Sequence, residues 1–321
     1  VAKGFDGTTL SEVLNLLNFH FAGFARSEPE GGSRSGNPCK SPRTRPENEL
    51  QESLRPPQTH DRGHRQLVSE FNDELLNGIL IRTKRRRWRS VVIPYQNIEL
   101  LNDQFFDGAI MISGERIAMK WHERYSIPLV VINNFGSALN HICSVFPDAD
   151  GEVRAAMEHL IALGHTRIAR IRGCSPWSTG EELARGFDEL CRIAEEHGIR
   201  DTVRNCFGAT LEEKIAQLRS LIAEGYTAFL VVLSDESPIL LDAIRKCGRR
   251  VPEDVSLVTY ESRGVSAFQN PPLTTLEYDY ARLVSSALLE LDHAMNGKET
   301  KSRIIVPGKL NVRGSTGPHV S

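Results

Sequence analysis

The sequence lacks the features of a membrane protein, a metalloprotein or a disulfide-stabilised domain. It has only six cysteines, and none are paired at the CxxC spacing of zinc or thiol-redox sites, so buried free thiols are expected. There is no apolar run of the roughly 18 residues that a membrane helix requires. No basic segment followed by an apolar one is present at the N-terminus, so we predict a cytoplasmic protein without a secretory signal.

Motifs of common α/β enzymes are also missing. The chain contains no G-x-G-x-x-G dinucleotide loop, no P-loop and no G-x-S-x-G nucleophile turn, so we predict neither a cofactor nor catalysis. The formal net charge of −2 gives no overall attraction to nucleic acid, so any basic surface must be local. A length of 321 residues leaves room for about two domains.

From residue 90 onward, short apolar runs alternate with amphipathic helical periods. Such alternation, with nearly continuous apolar strands, predicts an α/β fold in which helices cover both faces of a parallel sheet. The predicted strands are 90–95, 107–113, 128–133, 143–146, 168–172, 205–209, 228–233 and 255–260, and the predicted helices include 115–125, 150–163, 181–197, 211–224, 238–247 and 280–295.

The first 87 residues have a different character. A capping box formed by Thr9 and Glu12 predicts a helix over 8–25, and residues 28–63, rich in Gly, Pro and charge, are predicted to be a disordered linker. A long helix over 64–87 follows. It ends in a basic cluster around Trp88, which either complements the helix dipole or binds phosphate.

Four segments carry a resemblance to a known family. The segments VPEDVSLVTYESRGVSAFQNPPLTT (251–275), EHLIALGHTRIA (158–169), FDGAI (106–110) and LNVRGST (310–316) resemble parts of the effector domain of LacI/GalR-type transcription regulators. The resemblance covers about 90–316. It implies two doubly wound parallel-sheet lobes of periplasmic-binding-protein-like type, a small-molecule cleft, a homodimer and binding to operator DNA.

The sequence departs from the family at several positions. The family's recognition helix is not found after Val13, and its first strand is not found at 54–61. Leu183 stands where the family commonly has a ligand-binding Arg, and Ser234 where it has Asn. Residues 1–27 are therefore either a remnant of a helix-turn-helix head or a plain amphipathic helix.

The resemblance implies an effector site at strand ends. Polyols are bound by carboxylates, hydroxyls and an aromatic ring beneath the sugar. The candidate residues are Asp148, Asp235, Glu261, Ser234 and Ser175, with Phe207 or Trp177 as the stacking surface. We predict one lobe from 64–164 with 277–297 and the other from 165–276 with 303–316.

Three functions fit this sequence. A LacI-type regulator that binds a sugar-like effector is the leading hypothesis, and the alternatives are a truncated effector-binding protein that does not bind DNA and a solute-binding protein. His159 and His165 have no Cys or carboxylate cluster near them in sequence, so no metal site is predicted.

Overall fold

The computed structural model describes residues 70–94, 106–112, 115–125, 127–132, 142–173, 187–199, 203–208, 210–231, 237–261 and 264–319, together with the backbone of residues 20–26. Within these ranges no helix is both long and apolar enough to cross a membrane. The predicted linker over 28–63 lies outside the described residues.

Helices and strands alternate along the described chain. In chain order they are β1 (His20–Arg26), α1 (Glu70–Arg85), β2 (Trp88–Pro94), β3 (Gly108–Ile112), α2 (Glu115–Arg124), β4 (Leu129–Ile132), β5 (Cys143–Pro147), α3 (Ala149–Ala162), β6 (Ile168–Gly173), α4 (Phe187–Glu196), β7 (Val203–Gly208), α5 (Leu211–Ala223), β8 (Ala228–Val231), α6 (Ser237–Lys246), β9 (Ser256–Tyr260), a 3-10 turn (Val265–Phe268), β10 (Thr274–Glu277), α7 (Tyr280–Met295), β11 (Arg303–Val306) and β12 (Lys309–Asn311).

The described strands form two six-stranded sheets. Sheet 1 has the order β11-β5-β4-β3-β1-β2, and sheet 2 has the order β12-β10-β9-β8-β6-β7. Neighbouring strands from β3 through β5 to β11 are parallel, as are those from β7 through β6, β8 and β9 to β10. The prediction of two doubly wound α/β lobes is confirmed.

Helices cover both faces of each sheet, which explains why the strands are apolar on both sides. On sheet 1, α1 and α7 bury Leu75 and Leu288 against one face, and α2 buries Trp121 against the other. On sheet 2, α5 and α6 cover one face, and α3 and α4 cover the other.

β1 corrects a prediction made for the N-terminal segment. The helix predicted over 8–25 is wrong over 20–25, because residues 20–26 form a strand paired antiparallel with both β2 and β3. This strand occupies an interior position of sheet 1, between β3 and the edge strand β2. The sequence showed no strand at 54–61, where the family has its first strand. A short apolar run fits a buried strand as well as a buried helix, and the open hydrogen-bonding edges of β2 and β3 favour the strand.

The division between the lobes also differs from the predicted boundaries. α3 packs Val153, Met157 and Leu160 into the core of sheet 2, so the chain first changes lobes at Asp148 rather than after residue 164. β11 pairs with β5 in sheet 1, although residues 303–316 were predicted to lie together in the second lobe. The remaining changes of lobe occur after β10 and after β11.

Candidate functional site

The parallel strands of sheet 2 end at one edge, and most of the predicted site residues lie at or after the ends of these strands in the sequence. β6, β7, β8 and β9 are parallel neighbours and therefore end on the same side of the sheet. Such carboxyl ends are where open α/β sheets bind ligands. Glu261 directly follows β9 and is described with its side chain, whereas only the backbone of Phe207 is described. Ser175, Trp177, Ser234 and Asp235 lie outside the described residues.

Glu261 is held in place at the end of β9. Its Oε2 lies 3.0 Å from Nη2 of Arg313 and accepts a hydrogen bond of 3.2 Å from the Thr275 hydroxyl. Its Oε1 accepts from the backbone N–H of Ser266 at 3.3 Å. The side chain is 11% exposed, so a charged acceptor is fixed at the strand edge. Each carboxylate oxygen can accept further hydrogen bonds, for example from ligand hydroxyls.

Arg313 connects Glu261 to the strand beside it. Its Nη1 donates to the Leu273 carbonyl at 2.8 Å and to the Thr275 hydroxyl at 2.7 Å. Nothing in the sequence identified this pair, because Arg313 follows β12, far from Glu261 in the chain. The guanidinium neutralises the carboxylate and fixes its orientation.

Asp148 lies at the first lobe crossing and acts as a helix cap. Its Oδ1 accepts from the backbone N–H of Gly151 at 3.1 Å, at the beginning of α3. Its own backbone N–H donates to the carbonyl of Val306 at 2.9 Å, which joins the first crossing to the third. The sequence placed this residue in the effector site, but its described contacts are those of a residue that fixes the junction.

A buried acid, Glu152, lies where the three crossings meet. It is 3% exposed, and its Oε2 accepts a hydrogen bond of 3.1 Å from the hydroxyl of Tyr260. A Cβ added at Gly308 would be 2.5 Å from Oε1 of Glu152 and 2.7 Å from the Glu277 carbonyl, so the chain packs tightly here. Burial raises the pKa of Glu152 to about 8, an effect that the Tyr260 hydrogen bond opposes and the Asp148 charge reinforces.

Aromatic rings span the same junction. Tyr278, in the second crossing, stacks on Tyr260 of sheet 2 with ring centroids 5.0 Å apart. It also meets the edge of Phe71 on α1 at 5.0 Å and contacts Tyr280 at 5.8 Å. Tyr278 is packed against the cores of both lobes. Sequence periodicity did not reveal this cluster, because its rings come from separate elements.

The two histidines considered for metal binding have structural roles. His165 Nε2 lies 2.9 Å from the Ser256 hydroxyl and 3.2 Å from the Gly317 carbonyl. Burial lowers the pKa of His165 to about 4, which keeps it neutral, and His159 Nε2 lies 2.9 Å from the Thr316 hydroxyl. Across the described ranges, no group of three His, Cys, Asp or Glu side chains could hold a metal ion.

Known proteins that are similar to this chain have folds of the same type. The periplasmic binding protein-like domain family matches residues 157–316. The HTH-type transcriptional regulator MalR of Streptomyces coelicolor is 30% identical over 232 residues, which cover 68% of this chain and 66% of MalR. The chain belongs to the LacI/GalR family. It spans just under two thirds of the length of that relative.

Solved structures of LacI/GalR regulators share the architecture. The LacI family regulator of Enterococcus faecium, solved with bound ribose, gives a TM-score of 0.66 at 18% identity and covers 79% of this chain and 97% of its own. The lac repressor dimer, bound to operator and the anti-inducer ONPF, gives 0.67 at 24% identity and covers 78% and 91%. At these identities the likeness is one of fold.

Proposed function

We propose that this LacI/GalR chain is a transcriptional regulator whose two lobes close on a small polyhydroxylated effector. The observation that carries the proposal is the junction of three lobe crossings at Asp148, Tyr278 and Gly308, packed around Glu152. Such a junction lets two rigid lobes rotate about a few residues while their cores remain intact. The ribose-bound relative from Enterococcus faecium supports a sugar as the effector class.

The proposed effector site lies at the carboxyl edge of sheet 2. Glu261 accepts hydrogen bonds from sugar hydroxyls there, and the ion pair with Arg313 orients its carboxylate. From their positions after β6 and β8 in the sequence, Ser175, Ser234 and Asp235 supply further hydrogen bonds. Trp177 or Phe207 provides the stacking surface. Asp148 contributes to this site through the junction rather than through the effector.

A homodimer is part of the proposal. On the second lobe, Ile239 of α6 is 45% exposed, and Val265 and Phe268 of the 3-10 turn are 47% and 90% exposed. Contiguous exposed apolar patches mark protein interfaces, and we propose that these side chains belong to one. The dimeric lac repressor relative supports a second copy of this chain as the partner. Acting on operator DNA would place the protein in the cytoplasm.

Effector binding can be tested by thermal-shift and calorimetric titration of the full chain with ribose and a panel of other pentoses, hexoses and disaccharides. We expect saturable binding of at least one sugar and its loss in Glu261→Ala, while exposed Glu195→Ala binds as the wild type does. If no sugar binds, or if both variants bind equally, the proposed effector site is wrong.

Operator binding needs a separate measurement, because the chain lacks the family's recognition-helix pattern. Duplexes selected from a random pool by the full chain would be tested for sequence-specific retardation at moderate salt. Specific binding that the sugar alters supports the regulator. Sugar binding without specific retardation would instead identify an effector-binding protein that does not read DNA. Recovery of the native protein in the exported fraction would favour a solute-binding protein.

A further inference from the structure

The turn that joins α1 to β2 carries a dense set of cations. Six lie within eight residues, and the sequence has no acid from Leu75 to Ile98. Lys84, Arg85, Arg86, Arg87 and Arg89 are exposed. We call these five residues the basic turn. Because the whole chain has a formal net charge of −2, this concentration of positive charge is local.

The backbone beneath the basic turn is fixed by hydrogen bonds. The buried Thr83 hydroxyl donates to the Ile79 carbonyl at 3.0 Å and accepts from the Ser90 hydroxyl at 2.8 Å, which ties α1 to β2. The Arg87 backbone N–H donates to the Lys84 carbonyl at 3.1 Å, and Arg87 adopts a positive φ of 59°. The cations therefore project from a rigid base, which lowers the entropy lost on binding.

Helix capping accounts for only part of this charge. Cations complement a helix dipole within the last turn, where Arg82, Lys84 and Arg85 lie. Arg87 and Arg89 follow the helix and gain little from its dipole. Arg86 lies over the ring of Trp88 at 5.6 Å, which orients its guanidinium beside the turn.

The fold places the basic turn away from the proposed effector site. β2 begins at Trp88, so the turn lies at the edge of sheet 1 where β3, β4 and β5 also begin. Strand register adds a further cationic position, because Arg26 of β1 pairs with Trp88. This edge is thus free to contact a partner while the lobes hold an effector.

We propose that the basic turn is a contact surface for the phosphate backbone of duplex DNA, independent of any N-terminal head. Four of its five cations are arginines, whose planar guanidinium groups pair with phosphate oxygens through two hydrogen bonds. Contacts to phosphate position a protein on DNA without reading sequence. The inference goes beyond the proposed function, because it requires neither effector binding nor operator recognition.

The test compares two triple variants of the full chain that carry the same formal charge. One is R85S/R86S/R89S, and the control, R219S/R249S/R282S, removes three exposed arginines elsewhere on the surface. Fluorescence anisotropy with a 24-base-pair duplex of random sequence gives affinity from about 50 to 200 mM KCl. A third variant, R85K/R86K/R89K, restores the charge, and urea unfolding reports whether each variant folds.

Each phosphate contact adds about 0.9 to the slope of log affinity against log salt. We expect the basic-turn variant to lose about 2.7 from this slope and at least about tenfold in affinity at 50 mM KCl. The control should match the wild type, and the lysine variant should regain most of the slope. Sugar titration should be unchanged in all three, so a failed effector site would be recognised separately.

Three results would overturn the proposal. One is an equal loss in the control variant, which would mean that only net charge matters. Another is no binding of random duplex by the wild type at 50 mM KCl. The third is tighter binding to vesicles containing anionic phospholipid than to DNA, which would assign the basic turn to a membrane surface.

Discussion

Replacing Glu152 with glutamine should make the protein more stable than the wild type near neutral pH. Glu152 is 3% exposed at the lobe junction, and burial raises its pKa from 4.5 to about 8. Between these two values the unfolded chain releases the proton and the folded chain keeps it. The contribution of Glu152 to the stability of the wild type therefore falls as pH rises through this window, by about 1.4 kcal/mol per pH unit.

The size of the effect follows from the width of that window. From the ordinary value of 4.5 to pH 7, the buried acid costs the wild type roughly 3 kcal/mol. A glutamine keeps the shape, can still accept from Tyr260, and carries no ionisable proton. The gap in unfolding free energy between Glu152→Gln and the wild type should thus open between pH 5 and pH 8.

Urea unfolding followed by circular dichroism at pH 5, 6, 7 and 8 measures this gap. Glu195→Gln, an exposed glutamate on α4, is the matched control and should follow the wild type at every pH. A gap that stays constant across the four pH values would refute the reasoning, because it would show that Glu152 does not hold its proton in the folded state.

Three further variants test other contacts. Gly308→Ala should cost about 1–3 kcal/mol in urea unfolding because of overpacking, whereas Gly314→Ala, whose Cβ would lie 3.4 Å from its nearest neighbour, should be nearly neutral. Arg313→Ala should cost about 1–3 kcal/mol by leaving the Glu261 carboxylate without its cation, and should weaken effector binding. His165→Asn should flatten the loss of stability as pH falls from 6.5 towards 4, because the wild-type imidazole stays neutral with a pKa of about 4 while the unfolded chain takes up a proton.

Local sequence patterns predicted most single elements well. The helix predicted over 280–295 matches α7 at both ends, because Asp279 caps it and an apolar stripe faces sheet 1. The strand predicted over 255–260 matches β9 within one residue. These elements carry their own signals in capping, periodicity and the turns that bound them, so one sequence is enough to locate them.

Pairing between distant segments is what the sequence could not show. β11 reads as an ordinary strand, and only its pairing with β5 assigns it to the first lobe. The Glu261–Arg313 ion pair and the environment of Glu152 likewise depend on chain crossings far apart in sequence. β1 illustrates the same limit. A short apolar run does not show that it will pair with β2 on one side and β3 on the other, and this pairing makes it a strand.

α1 runs from the junction between the lobes to the basic turn. Phe71 near its beginning packs on Tyr278 at the junction, and Arg85 at its end belongs to the basic turn. At 1.5 Å per residue the helix carries one end about 21 Å from the other. Because a packed helix moves as a rigid rod, a rotation of about 10° at the junction would displace the basic turn by about 4 Å. In the proposed homodimer a shift of that size would change the spacing between the two basic turns, so closure on an effector would change how many phosphates both turns contact on one duplex. The salt slope measured with and without a bound sugar would therefore differ in the wild type, and the difference would vanish in R85S/R86S/R89S.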